Sequence, residues 1–227
     1  MLAQRLNATL QSLENAAIAS HRPLPRLLAV SKTQTATAVA TLAAAGQRAF
    51  GENYVQEAQA KNRALAETLE GQGLEWHLIG HLQSNKAEVA ADIFDWVQTV
   101  DRLKLVAALA RFRPAHRPPL NVLVQVNIDD EASKHGCAPE QVPELVAAIL
   151  HEPRLALRGL MAIPTPHPDI ESRRAAYRGM AALFGTLAAR HASVDTLSMG
   201  MSDDFPLAIA EGATMVRIGT ALFGPRS

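Results

Sequence analysis

The chain has 227 residues, about the length at which α/β barrels run as one unit of roughly 200–250 residues, so one large α/β domain spanning 1–227 is the expectation. Its 22 basic and 22 acidic residues cancel and no Lys/Arg run exceeds two, which speaks against nucleic acid or an anionic membrane surface as a partner. The lone Cys137 excludes an intramolecular disulfide, and neither a leader nor a membrane-length apolar run is present, so a cytoplasmic protein is expected.

In chain order, Leu6, Leu10, Leu13 and Ala17 recur at helical spacing between Leu2 and Ser20, and Pro23 blocks continuation. The apolar run from Arg26 to Ser31 reads as a strand buried on both faces, with Lys32 at its C-terminal end. A helix over Thr37–Ala45, a strand at Arg48–Phe50 and a polar-faced helix from Asn53 to about Glu70 follow. Further strands are predicted at Glu75–Ile79, Trp96–Val100, Asn121–Ile128, Leu155–Ala162, Asp195–Ser198 and Met215–Ile218. Eight strands, each followed by a segment able to carry a helix, predict a parallel sheet closed into a (β/α)8 TIM-type barrel. The proline-rich segments Arg113–Pro119 and Pro164–Pro168 read as turns between barrel units.

Barrel chemistry collects at the C-terminal ends of the strands. Lys32 is one of five lysines; the other four fall in polar helices or a loop and are expected to be solvated, whereas Lys32 follows an apolar strand directly. Desolvation there would favour the neutral amine that Schiff-base formation requires, the competing reading being a rim lysine whose head reaches water. Ser198-Met199-Gly200-Met201-Ser202 and Gly219-Thr220 close the last two strands, where hydroxyls, backbone amides and glycines can surround a phosphate. Ser202-Asp203-Asp204 is also expected to cap the following helix, which would place an anion against Ser198 to Gly200 and Gly219-Thr220. Arg217, inside an apolar strand, needs a partner: a ligand, or a structural ion pair with Glu211 or an aspartate. His77 and His81 cross a strand end with no evident third ligand, so no metal is expected, and Cys137 reads as an inert thiol.

These residues carry a resemblance. Ala29-Val30-Ser31-Lys32-Thr33, Phe50-Gly51-Glu52-Asn53-Tyr54, Trp76-His77-Leu78-Ile79-Gly80-His81-Leu82-Gln83, Leu160-Met161-Ala162-Ile163-Pro164, Leu197 to Asp203 and Val216-Arg217-Ile218-Gly219-Thr220 together resemble the pyridoxal 5′-phosphate (PLP) homeostasis protein family, also called the YggS/PROSC family. The resemblance implies a monomer-like barrel similar to the N-terminal domain of alanine racemase, with PLP held as a Schiff base on Lys32. It further implies Arg217 facing the pyridine nitrogen, Ser198, Gly200, Gly219 and Thr220 around the phosphate, and Asn53 and Met199 lining the pocket. The chain departs from the family pattern in Gln34-Thr35, where Lys-Pro is common, and in reaching Ser227 without a lysine-rich tail.

A guanidinium against the pyridine nitrogen disfavours its protonation and weakens the cofactor as an electron sink. The tyrosines are Tyr54 and Tyr177 alone, and no β domain follows the barrel to supply another. The leading expectation is therefore a PLP-binding carrier or regulatory protein of vitamin B6 homeostasis, not an enzyme, with PLP-dependent apo-enzymes as recipients. The alternatives are a weak PLP-dependent amino-acid racemase with Lys32 as one base and, last, a Schiff-base aldolase, which leaves Arg217 unexplained.

Overall fold

The computed structural model describes residues 1–131 and 134–224; Ser227, where the chain was read as lacking a lysine-rich tail, lies outside them. Eight parallel strands close into a barrel in the order in which they occur in the chain. They are β1 (Arg26–Val30), β2 (Ala49–Glu52), β3 (Glu75–Leu78), β4 (Trp96–Val100), β5 (Leu120–Gln125), β6 (Leu155–Met161), β7 (Thr196–Ser198) and β8 (Met215–Ile218). The barrel shuts where β1 pairs with β8 from Arg26↔Met215 to Ala29↔Ile218. The helices are α1 (Leu2–Ala19), α2 (Ala36–Ala44), α3 (Val55–Leu65), α4 (Ala87–Ile93), α5 (Leu103–Phe112), α6 (Val142–Leu150), α7 (Ile170–Ala188), α8 (Phe205–Ala210) and α9 (Thr220–Phe223).

Strand alternation divides the core in two. Outward-facing residues such as Phe50, Trp76, Val97, Val122, Leu160, Leu197 and Val216 meet the apolar stripes of the helices in one continuous cluster. Inward-facing residues form two small apolar groups, Leu28, Ala49 and Met215, and Trp96, Leu123 and Met161. The rest of the lumen is polar, which is where the site begins.

Two elements, β5 and α3, end well before their sequence patterns predict, the others shifting by a residue or two. β5 stops at Gln125 because Asn127 turns back on the chain, its side chain donating to the Glu131 carbonyl and accepting from the Glu131 amide. α3 ends at Leu65, since the Thr68 hydroxyl bonds the Leu65 carbonyl and accepts from Gly71, folding residues 66–71 into turns. The segment at 113–119 joins α5 to β5; Arg113 is buried there and donates to the carbonyls of Ala91, Phe94 and Pro118.

The β5–β6 register shifts between Val122 and Leu123, so that Arg158 becomes the extra residue of a bulge and Gly159 follows at φ +143°. The bulge lets Arg158 reach Asn121 and Asp195 and lie over the Trp96 ring at 5.0 Å. A Cβ at Gly159 would sit 2.0 Å from the Thr196 carbonyl oxygen. Gly159→Ala is therefore expected to cost about 3 kcal/mol or more in chemical denaturation, through backbone strain and a broken β6–β7 ladder; a loss below about 1 kcal/mol would show that the bulge relaxes freely.

Candidate cofactor site

A cavity of about 230 Å³ opens at the C-terminal end of the barrel, lined by Val30, Lys32, Asn53, Ile79, Ile163, Met201, Ser202, Asp203, Arg217, Gly219 and Thr220. Lys32, Asn53, Arg217, Gly219 and Thr220, all singled out in the sequence, thus meet on one surface. Ser198, Met199 and Gly200 do not: they lie buried beneath it, while Met201 and Ser202 take the wall on that side.

Lys32 owes its position to a second lysine. The expectation that the other lysines are solvated fails at Lys61, which is 5% exposed on the inner face of α3 beside Ala58 and Leu65. Its ammonium donates to the Ser31 carbonyl (2.6 Å), Glu52 Oε1 (2.8 Å) and Glu57 Oε1 (2.7 Å), which uses all three of its protons. Ser31 Oγ donates to the same Glu52 oxygen at 2.5 Å, and Glu57 Oε1 accepts from the Thr33 amide at 2.5 Å. Thr33 stands at φ +64°, a region unfavourable for a β-branched residue, and is held there by these contacts. The backbone on both sides of Lys32 is thereby tied to α3. Burial pushes the Glu52 carboxyl above its ordinary pKa against the pull of Lys61 and Ser31, and Glu52 Oε2 has no partner among the described residues. Lysine on the buried stripe of an otherwise regular amphipathic helix was the available sequence signal.

Arg217 is held from the opposite direction. Nη1 donates to Ser198 Oγ and Nη2 to the Ala162 carbonyl, both at 2.8 Å. Ser198 Oγ in turn donates to Gln98 Oε1 (2.7 Å), and Gln98 Nε2 donates to His77 Nδ1 (2.9 Å), so the His77 proton sits on Nε2 and points to Glu75 Oε1 at 2.5 Å. Every direction in this chain is consistent with every other. His77 is fully buried and stacked on Trp96 at 5.1 Å; burial lowers its pKa despite Glu75, which keeps the ring neutral at pH 7. Arg217, 4% exposed, is lowered to about 10 by burial and remains cationic. The structural ion pair with Glu211 is not formed: Glu211 binds Arg174 and Arg178, and among the described residues no carboxylate pairs with Arg217.

The two glycines of the expected phosphate site differ. Gly200 has φ +90° and a Cβ there would come 2.5 Å from Ala208 Cβ, so the turn after β7 requires glycine by itself. Gly219 has φ −118°, open to any residue, and a Cβ would meet only Val30, at 3.4 Å. The expected cap also changes. Asp204 occupies the N-cap of α8, but its carboxylate accepts from the Met201 amide and the Tyr177 hydroxyl, each at 2.7 Å, and thereby braces the turn that carries Met201 and Ser202. Cys137 is buried, and its thiol is pushed up to about 12 by burial, as an inert thiol should be.

The sequence matches the family model for the alanine racemase N-terminal domain over residues 4–227. It is 55% identical over 200 residues to the pyridoxal phosphate homeostasis protein of Escherichia coli K12, covering 88% of this chain and 85% of that one. The protein of the same name from Haemophilus influenzae is 49% identical over 226 residues, covering 98% and 94%. Among solved structures, PipY of Synechococcus elongatus with PLP bound superposes with a TM-score of 0.81 at 35% identity, covering 99% of this chain and 100% of that one. An alanine racemase from Corynebacterium glutamicum shares the fold at 18% identity and a TM-score of 0.68, with 61% of its length covered. At this identity and coverage the chain belongs to the pyridoxal phosphate homeostasis protein family, built on the barrel of the alanine racemase N-terminal domain.

Proposed function

We propose that this chain binds PLP covalently through Lys32 and serves PLP homeostasis as a holder of the cofactor, not as a catalyst. The observation that carries the reading is the cavity in which a half-buried lysine, a buried guanidinium and a glycine wall meet. The names of the relatives and the PLP-bound PipY structure support the same cofactor.

The residues present fit such a group. Among the described residues nothing requires glycine at 219, so its missing side chain leaves room on the cavity wall for a ligand to approach the backbone. Gly219, Thr220 and Ser202 would hold the phosphate, Asn53 and Met201 would flank the ring, and Arg217 would face the pyridine nitrogen. Ser198 acts through Arg217, and Met199 and Gly200 shape the turn beneath. When bound, PLP supplies an aldehyde that condenses with an amine and a ring that can delocalise an electron pair. Lys61 orients the backbone that presents Lys32, and Arg217 has only donors to offer, so it disfavours a proton on the ring nitrogen.

The racemase reading needs a second proton-transfer group facing Lys32. Tyr177 is sealed at 1% exposure, bonded to Asp204 and raised far above its ordinary pKa by burial, while Tyr54 is 64% exposed before α3. Lys32 itself is then the one amine lining the cavity. PLP-dependent apo-enzymes as recipients, a monomeric state and cytoplasmic residence complete the proposal; no described helix is long and apolar enough to cross a membrane.

The direct test is the visible spectrum of purified protein, then borohydride reduction and peptide mapping. A yellow band and pyridoxyl fixed to Lys32 are expected; protein that stays colourless with added PLP would overturn the site. Lys32→Ala should lose the band while remaining folded by circular dichroism. Gly219→Val should fold normally yet retain PLP less well, because the added side chain fills the ligand's place. Incubation with single L-amino acids in deuterated water should leave the α-carbon proton in place, and rapid exchange there would favour the racemase.

Lys61→Met removes one partner of a buried charge cluster and should cost about 3–5 kcal/mol of stability. It should also weaken PLP retention in the fraction that remains folded, because residues 31–33 lose their tether. Unchanged retention by equilibrium dialysis would mean that Lys61 supports the fold without positioning Lys32.

A further inference from the structure

Beside the cofactor cavity lies a second hollow of about 280 Å³, which shares Asn53, Ile79 and Ile163 with it. His81, after β3, and His135, after β5, line it, and Asp101, from the intervening loop after β4, lies beside them. One ligand atom from each lies within 4.8 Å of the other two. The imidazoles face one another with centroids 3.8 Å apart and planes 15° from parallel. His81 Nδ1 is 3.7 Å from Asp101 Oδ2, too long for a hydrogen bond. The three groups are thus gathered by ring stacking and a loose ion pair, with no hydrogen bond between His81 and Asp101.

Their surroundings favour a cation between them. A neutral imidazole offers a ring-nitrogen lone pair to a cation, and a carboxylate offers a negative oxygen. Asp101 Oδ1 is anchored by Arg102 Nη1 at 2.5 Å, and Arg102 is itself fixed to the Leu82 carbonyl at 2.6 Å. That outer support leaves Oδ2 directed at His81, in the manner of a metal-ligating carboxylate. Lys134, the other charge on this wall, is occupied by the Ile163 carbonyl, the Thr165 hydroxyl and Glu131. Both histidines are exposed enough to rotate their rings toward a shared ion.

We propose that His81, Asp101 and His135 form a binding site for a divalent cation of the Zn2+ type, with three protein ligands and at least one coordination position open to the hollow. Two nitrogens and one carboxylate oxygen suit Zn2+, Co2+ or Ni2+, whereas Mg2+ and Ca2+ demand oxygen donors. The expectation of no metal from the sequence paired His81 with His77, which instead lies inside the barrel on Glu75 and Gln98; the true partners come from later loops.

The test uses untagged full-length protein, dialysed against a chelator and then against metal-free buffer that also removes unbound PLP. Co2+ should bind once per chain with visible ligand-field absorption, and Zn2+ should displace it. His81→Asn, Asp101→Asn and His135→Ser should each weaken Co2+ binding by at least the roughly 10–100-fold typical of losing an outer-shell partner. Lys32→Ala should leave the titration unchanged, which separates this site from chelation by the cofactor. Absence of saturable Co2+ uptake, or equal uptake by the His81→Asn/His135→Ser double variant, would overturn the proposal.

Discussion

The mouth of this barrel depends on the desolvated ammonium of Lys61. Removing a charge from water is costly unless its hydrogen bonds and its charge are both met, and here one side chain meets two carboxylates and a backbone carbonyl. The same bonds join α3 to β1 and β2 and hold Thr33 in an uncommon conformation. An interaction of this kind contributes little net stability compared with a well-packed apolar alternative. Its value is directional: Lys32 is presented by backbone pinned on both sides, whereas a long side chain on a free loop would sample many positions.

Arg217 illustrates the complementary solution for a buried cation. Among the described residues no carboxylate pairs with it, and it relies on neutral acceptors, the Ser198 hydroxyl and the Ala162 carbonyl, with Gln98, His77 and Glu75 orienting Ser198 from behind. Because each of these bonds runs from a donor to a defined acceptor, the network favours one arrangement of the lumen. A guanidinium without a counter-carboxylate keeps its positive field directed at the cavity. That distinguishes this floor from a structural ion pair, where the field would be cancelled locally.

The likeness to alanine racemases at 18% identity concerns the barrel alone, since one fold supports many activities and chemistry is decided by the groups grafted on it. In this chain the lumen and the strand ends supply a nucleophilic amine, a cation and a small-residue wall. Tyr177 and Cys137 are withdrawn into the structure with their pKa values raised by burial.

The sequence by itself determined the barrel, because eight short apolar strands alternating with amphipathic helices leave few other ways to bury both faces of a parallel sheet. It also determined where chemistry would gather, since strand ends are local features: Lys32, Asn53, Arg217, Gly219 and Thr220 line one cavity. Only the tertiary structure decided which residues stand behind them. Lys61 reads as a solvated helix lysine until α3 is laid on β2, and Ser198 reads as a phosphate ligand until Gln98 and Arg217 claim its hydroxyl. Gly200 and Gly219 look alike in the chain, yet the first is demanded by its φ and its contact with Ala208, whereas the second has an ordinary φ and space for a Cβ. Asp101 and His135 meet His81 only because barrel closure sets three loops side by side. Periodicity and strand ends are properties of neighbouring residues; the satisfaction of a buried charge is a property of whatever the fold brings against it.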